Sequence, residues 1–219
     1  MNSKKVQKNW LRAGMAFISL VVLSTVVVAD VSAYTSPPWS PGPTTTFEQW
    51  SFSAWNYGPV LPDNGWNNPF GTPQLVVSTS SQWNSSVGQH SGVWTLNGEM
   101  DFIIPNYPVA QPEKDIWVEV TWQGAGLSSF VPDKPLLGIE CDYDSVLISR
   151  QETPLNDGWT TTLFKLNVYP NPSSEWLVLK GDIMVDSVTI NTICIPEPAT
   201  FGLLIGGAFM AVRRKQKKA

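Results

Sequence analysis

The 219-residue chain carries fourteen Lys and Arg against eighteen Asp and Glu, and its positive residues lie mostly at the two ends. Residues 34–198 hold only five Lys or Arg but seventeen Asp or Glu, which gives this body a formal charge of −12. Because nucleic-acid binding depends on Lys and Arg neutralising phosphates, such an acidic body excludes a nucleic-acid ligand. Its length is enough for one domain with a buried core.

The first thirty-three residues have the layout of a secretory signal peptide. Four basic residues open the chain: Lys4, Lys5, Lys8 and Arg12. An apolar stretch follows over residues 15–28, and Val31-Ser32-Ala33 places small residues as at a signal-peptidase site. The apolar stretch is shorter than the about 20 residues that a comfortable bilayer span needs. We predict a signal helix over residues 1–33 that is cleaved after Ala33, with an uncleaved amino-terminal anchor as the alternative.

Residues 34–43 are rich in proline and predict an extended segment ahead of the domain. Beyond them, apolar residues alternate with a period of two, which is typical of half-buried strands. The strongest alternation places Ile116, Val118, Val120 and Trp122 on one face, opposite Trp117, Glu119 and Thr121.

Three further strands have a predicted inner face. These faces are Met100, Phe102 and Ile104; Phe164, Leu166 and Val168; and Met184, Asp186, Val188 and Ile190. Weaker strand patterns cover residues 44–53, 74–80, 91–97, 136–141, 145–151 and 175–180. No capped stretch with a 3.6-residue period interrupts them. The sequence therefore predicts an all-β fold: a single antiparallel β-sandwich of jelly-roll type over residues 44–194.

The chain ends in three parts: Pro196-Glu197-Pro198, an apolar run over residues 201–212, and the basic cluster Arg213-Arg214-Lys215. The run is short for a permanent span, and predicts a short, transient transmembrane helix whose basic end stays cytoplasmic. This conjunction resembles the PEP-CTERM sorting signal of exported bacterial proteins. The resemblance implies an exosortase as processing partner and a host that makes exopolysaccharide. We assign residues 195–219 to the signal, with a plain tail anchor as the alternative.

The body has a looser resemblance. "TFEQWSF", "NNPFGTP", "KDIWVEVTW" and "VDSVTINT" are similar to short jelly-roll ectodomains that often precede this signal. Such ectodomains mostly lack an assigned activity, and some resemble carbohydrate-binding sandwiches. The resemblance therefore implies a fold and a destination, and it implies no reaction.

Few residues offer catalytic chemistry. His90 is the single histidine, G-x-S-x-G is absent, and no acidic pair is singled out by its spacing. His90 is expected in a loop or at a strand edge. Cys141 and Cys194 are the two cysteines of a chain bound for an oxidising compartment, so they either form a disulfide or remain thiols.

Two kinds of ligand site are conceivable. Glu48, Asp182 and Asp186 offer oxygen atoms to a structural calcium ion between the first and last strands, although a solvated acidic face is the simpler explanation of these residues. Trp66, Trp83 and Trp159 lie in or beside turn-rich segments, where exposed rings stack on sugars and buried rings support loops. Trp50, Trp117 (or Trp122) and Trp176 lie in strand patterns and are expected in the core.

These observations predict a non-enzymatic exported protein with a structural or adhesive role. It would pass the inner membrane, contact it transiently through the tail, and reach the cell envelope, the cell surface or the extracellular matrix of a biofilm. One alternative is a carbohydrate-binding module that recognises exopolysaccharide through loop tryptophans. A second alternative is a secreted hydrolase. No cofactor is expected apart from the calcium ion.

Overall fold

The computed structural model describes residues 35–109, 111–128, 131–140 and 144–196, and these residues form twelve β-strands. The strands are β1 (Thr45–Trp50), β2 (Trp66–Asn67), β3 (Gln74–Val77), β4 (Gln82–Val87), β5 (His90–Thr95), β6 (Glu99–Pro105), β7 (Glu113–Gly124), β8 (Leu136–Ile139), β9 (Asp144–Pro154), β10 (Thr160–Tyr169), β11 (Ser174–Lys180) and β12 (Ile183–Ile195).

Two antiparallel sheets pack face to face as a β-sandwich. The larger sheet has the order β2-β1-β12-β7-β10-β9, and β5 also pairs with β12 and carries β4 at its edge. The smaller sheet has the order β3-β6-β11-β8. The long strand β12 lies inside the larger sheet, with β7 along one edge and β1 and β5 along the other.

The core lies between the sheets and follows the alternation in the sequence. Met100, Phe102 and Ile104 of β6 are fully buried, as are Ile116, Val118 and Val120 of β7. Phe164, Leu166 and Val168 of β10 join them, so the three predicted inner faces are confirmed. The predicted all-β sandwich is confirmed with them.

The predicted face of β12 is wrong in its first half. The pairing of β12 with β7 shifts between Val185 and Ser187, where a β-bulge reverses the phase of the strand. As a result Ile183 and Val185 enter the core together with Val188 and Ile190, and Met184 does not. One inserted residue moves every side chain before it to the opposite face.

Two strands and one tryptophan also differ from expectation. β2 and β4 were not predicted, and β4 forms a hairpin with β5 in which Val87 pairs with His90. Trp176 was expected in the core, but it lies on the outer face of β11 with 46% of its surface exposed. Trp50 and Trp122 are buried as expected.

The Pro-rich segment covers part of the outer face of the larger sheet. The Thr35 N–H donates to Glu119 Oε2 at 2.9 Å, and the Trp39 ring meets the Trp117 ring edge to face at 5.5 Å. Among the described residues, no helix is long and apolar enough to cross a membrane. The predicted signal helix and tail helix lie outside these residues.

Candidate functional site: a buried Lys-Asn-Glu cluster

One end of the sandwich core is polar where the rest is apolar. We call it the polar end and define it by Glu48, Asn68, Asn106, Lys114 and Glu175, all of which are buried. Glu48, Lys114 and Glu175 are in phase with the apolar core residues of their strands, as Lys114 precedes Ile116 and Val118 by two and four positions. The backbone alternation therefore directs these side chains between the two sheets.

Lys114 is the centre of the polar end. Its side chain is fully buried, and its Nζ lies 2.6 Å from Oε1 of Glu175, which is also fully buried. Lys114 Nζ also donates a hydrogen bond to Asn106 Oδ1. Asn106 in turn donates from Nδ2 to the Pro172 carbonyl at 2.7 Å. A lysine is almost never fully buried without such partners.

Three different strands bring these groups together. Lys114 is the second residue of β7 in the larger sheet, and Glu175 is the second residue of β11 in the smaller sheet. Asn106 follows the end of β6, which pairs with β11 so that Ile104 lies beside Glu175. The Lys114–Glu175 contact therefore crosses the sandwich from sheet to sheet.

Two buried carboxyls accompany the single lysine. Burial raises the pKa of Glu48 to about 8, against the opposing effects of a hydrogen bond from Asn68 and the charge of Lys114. The Asn68 Nδ2 atom lies 2.9 Å from Glu48 Oε1. Burial likewise raises the pKa of Glu175, although Lys114 and Asn106 beside it act to lower it. Glu48 is therefore mostly protonated near neutral pH, and burial favours the neutral form of Glu175 in the same way.

The cluster combines three groups with complementary reactivity. A lysine amine is a nucleophile once it has lost its proton, an amide carbon is an electrophile, and a carboxyl with a raised pKa transfers protons. All three are shielded from water, which strengthens their electrostatic interactions.

A second polar cluster surrounds His90 at the start of β5. His90 is buried, with Nε2 at 2.8 Å from Asp157 Oδ2 and Nδ1 at 3.2 Å from Asp186 Oδ1. The Trp159 ring stacks on the imidazole, with 4.1 Å between the ring centroids. The hydrogen bond with His90 lowers the pKa of Asp157. His90 is expected in a loop or at a strand edge, and it lies at the first position of β5, directly after a turn. Its buried side chain contacts both the loop before β10 and β12.

The three tryptophans predicted to contact sugars do not form one surface. Trp66 is 44% exposed on the short strand β2, whereas Trp159 is only 3% exposed beneath His90. Trp83 packs against the core and donates from Nε1 to the Phe52 carbonyl at 3.1 Å. Of the three, Trp66 alone presents a substantial ring surface to solvent, and Trp159 would have to leave its stack to reach a sugar.

The three calcium candidates lie in different surroundings. Glu48 belongs to the polar end, Asp186 contacts His90, and Asp182 accepts from the Ser128 N–H at 2.5 Å. The part of the chain that the structure describes contains no group of three or more His, Cys, Asp or Glu side chains that could hold a metal ion. The structure therefore does not bring the candidates together.

Some predicted site residues fall outside the described ranges. The Cys194 side chain is buried beside Asn171, and its predicted partner Cys141 lies outside the described residues, so the disulfide stays a prediction. Pro196 is described and exposed. Glu197, Pro198, the basic residues Arg213, Arg214 and Lys215, and the cleavage site after Ala33 all lie outside the described residues.

The polar end was missed by reasoning from the sequence, except that Glu48 was singled out for a different role. The alternation within the strands could have indicated these positions, because Lys114 extends the inward face of β7 and Glu175 extends that of β11. A charged residue at the end of an inward face is usually taken to lie in solvent. Only the packing of the two sheets against each other shows that Lys114 and Glu175 are covered.

Comparison with known protein families, with curated proteins and with solved structures finds no match. The function must therefore be argued from the residues of this chain.

Proposed function

We propose that this chain is an exported, non-enzymatic structural protein of the bacterial envelope or extracellular matrix, sorted through a PEP-CTERM signal. The observation that carries the proposal is the pairing of a signal-peptide pattern at residues 1–33 with the three-part tail at residues 195–219. By resemblance, an exosortase would process that tail while it rests transiently in the membrane. The jelly-roll assignment of the sandwich belongs to the same proposal.

The position of the domain supports this proposal. β12 ends at Ile195, and the exposed Pro196 follows it directly. The proposed processing triplet thus begins where the last strand stops, and its first proline is accessible to a protease. Proline also keeps the preceding backbone extended, which suits binding in a protease cleft.

The burial of the polar end supports a non-enzymatic role over a hydrolase. Glu175 lies close enough to Glu48 to raise the pKa of Glu48, yet both carboxyls are fully buried. A glycosidase needs two carboxyls on either side of a bound sugar. This carboxyl pair has no surface on which a substrate could bind.

The sorting proposal is tested by expressing the full chain in a bacterium that carries an exosortase. We expect the protein to lose its tail and leave the inner membrane. A variant with Pro196, Glu197 and Pro198 changed to alanine should keep the tail and stay in that membrane. The matched control changes Ala199 and Thr200 to serine and should behave as the unaltered chain. Equal processing of the triplet variant, or processing that does not require the exosortase, would contradict the proposal.

A groove on the larger sheet favours glycan binding as a second candidate function. It has a volume of about 270 Å³ and is lined by Trp39, Pro37, Asn67 and other residues of the Pro-rich segment, β1 and β12. An aromatic ring beside amide side chains is the chemistry with which proteins commonly bind sugars. The exposed Trp66 precedes Asn67 in β2.

Tryptophan fluorescence tests this second candidate with a panel of bacterial exopolysaccharides. We expect saturable quenching that Trp39→Ala weakens at least about tenfold in apparent affinity, a loss of about 1.4 kcal/mol. Trp176→Ala is the matched control, because Trp176 is exposed on the other sheet. A flat response across the panel removes this candidate and leaves the sorting proposal intact.

A further inference from the structure

We propose that Lys114 and Asn106 become joined by an intramolecular amide bond, with Glu175 as the acid and base of the reaction. The lysine Nζ would replace the amide nitrogen on Asn106 Cγ, and ammonia would leave. This is a self-modification that each molecule performs once. It goes beyond the proposed function and does not depend on where the protein is sorted.

The geometry places the lysine amine and the asparagine amide group in contact. Lys114 Nζ donates to Asn106 Oδ1, and the carbon bonded to that oxygen is the one to be attacked. The departing nitrogen, Nδ2, is held by the Pro172 carbonyl at 2.7 Å. Such fixed proximity turns a slow bimolecular reaction into an effectively unimolecular one, with effective molarities of about 10⁵ M or more.

Glu175 is placed to move the protons. Its Oε1 lies 2.6 Å from Lys114 Nζ, so a proton can pass from the ammonium to the carboxylate directly. Burial raises the pKa of Glu175, which means that the neutral acid is favoured in this position. The transfer converts a buried ion pair into a neutral amine and a neutral acid, and removes the cost of keeping two charges away from water.

The bonds and protons of the reaction balance. The free amine of Lys114 attacks Asn106 Cγ, a C–N bond forms, and the carbonyl electron pair moves onto Oδ1. The new amine nitrogen gives up one proton through Glu175, and Nδ2 receives one proton. The Cγ–Nδ2 bond then breaks and ammonia leaves. No electrons are gained or lost, and no oxidant, reductant or co-reactant is required.

The product would tie the sheets together. Asn106 follows β6 of the smaller sheet and Lys114 lies in β7 of the larger one. The bond would close residues 106–114 into a covalent ring and leave a neutral amide in place of a buried ammonium. Because the ring is short, its effect on chain entropy is modest.

Mass spectrometry of the full-length protein tests the proposal without any variant. Glu113 separates the two reacting residues, so cleavage after glutamate divides residues 100–113 from residues 114–119. We expect these two peptides to remain linked, with a combined mass about 17 Da below their sum, the mass of one ammonia. Fragmentation of the linked pair should place the bond between Asn106 and Lys114. In addition, trypsin should fail to cleave after Lys114 in the denatured protein.

Each other outcome overturns the proposal. Two separate peptides of full mass mean that the cluster is an unreacted ion pair with an asparagine. A loss of about 17 Da confined to residues 100–113, with the peptides separate, means that Asn106 has cyclised on its own backbone. Separate peptides with a deamidated Asn106 mean hydrolysis. None of these results bears on the sorting of the protein.

Variants then test the role of Glu175. Glu175→Gln keeps the size of the side chain but cannot carry the proton, and should slow the linkage at least about 100-fold. Lys114→Arg should abolish it. Lys180→Arg is the matched control, because Lys180 forms an exposed ion pair with Glu99 at 2.8 Å, and this variant should be linked fully. A folded Glu175→Gln protein that is linked as fast as the unaltered chain would remove Glu175 from the reaction.

Discussion

Replacing Glu48 with glutamine is expected to make the protein less sensitive to rising pH. Glu48 has a pKa of about 8 in the folded protein against 4.5 for a free glutamate side chain, because burial disfavours its charge. Between these values the folded state keeps a proton that the unfolded state has lost. The free energy of unfolding must then fall as pH rises, by about 1.4 kcal/mol for each pH unit. Glutamine does not titrate and removes this slope.

The size of the effect follows from the two pKa values. From about pH 5 to about pH 7.5, Glu48 alone should cost the unaltered protein about 3 kcal/mol of unfolding free energy. That is a large part of the about 5–15 kcal/mol that stabilises a typical domain. The unfolding free energy of Glu48→Gln minus that of the unaltered protein should therefore rise by about 3 kcal/mol over this pH range. This rise does not depend on the difference between the two proteins at the lower pH.

Urea unfolding at several pH values measures this gap. With a typical m-value of about 1–3 kcal/mol per molar urea, the gap corresponds to a midpoint difference that grows by about 1 M or more. Glu99→Gln is the matched control, since Glu99 lies exposed beside Lys180 and should show no such growth. If the gap between Glu48→Gln and the unaltered protein stays constant over this range, Glu48 titrates like a solvent-exposed carboxyl and the reasoning fails.

Two further predictions concern stability, and circular dichroism during urea unfolding measures both. Gly92 has a φ of +77°, and a Cβ there would lie 2.2 Å from the Phe52 carbonyl oxygen, whereas Gly88 has a φ of +62° and open space around it. We expect Gly88→Ala to cost about 1–2 kcal/mol from its backbone conformation alone, and Gly92→Ala to cost clearly more because the backbone must move. If both variants lose the same unfolding free energy, the backbone at Phe52 moves away from the new Cβ at little energetic cost. Trp159→Ala should cost about 3–5 kcal/mol through the loss of a buried ring, but Trp66→Ala less than about 1 kcal/mol. A small effect at Trp159 would show that its stack on the histidine contributes little.

The strands could be predicted where one face is apolar without interruption. β6, β7 and β10 each carry a run of buried residues at every second position, so the sequence pattern and the packing agree. β12 shows the limit of this reasoning. A β-bulge inserts a residue without any sequence mark that can be read in advance, and Met184 was therefore assigned to the core in place of Val185.

The polar end could be predicted only in part. Strand phase places Lys114 and Glu175 on inward faces, but the usual exposure of charged residues favours the opposite conclusion. Their contact joins residues 61 positions apart on different sheets. Such a pairing depends on how the sheets stack, and alternation within single strands carries no information about stacking.

The position of β12 has a mechanical consequence. Its thirteen residues pair with β7 along the whole strand and with β1 from Val188 to Ile193 on the other edge. A tensile load applied at the end of β12 acts parallel to the strand and loads these hydrogen bonds in shear, so many must break together. A peripheral hairpin would instead be unzipped one bond at a time. Because forced unfolding is governed by the unfolding rate, a protein held by this strand should resist pulling better than its equilibrium stability alone implies.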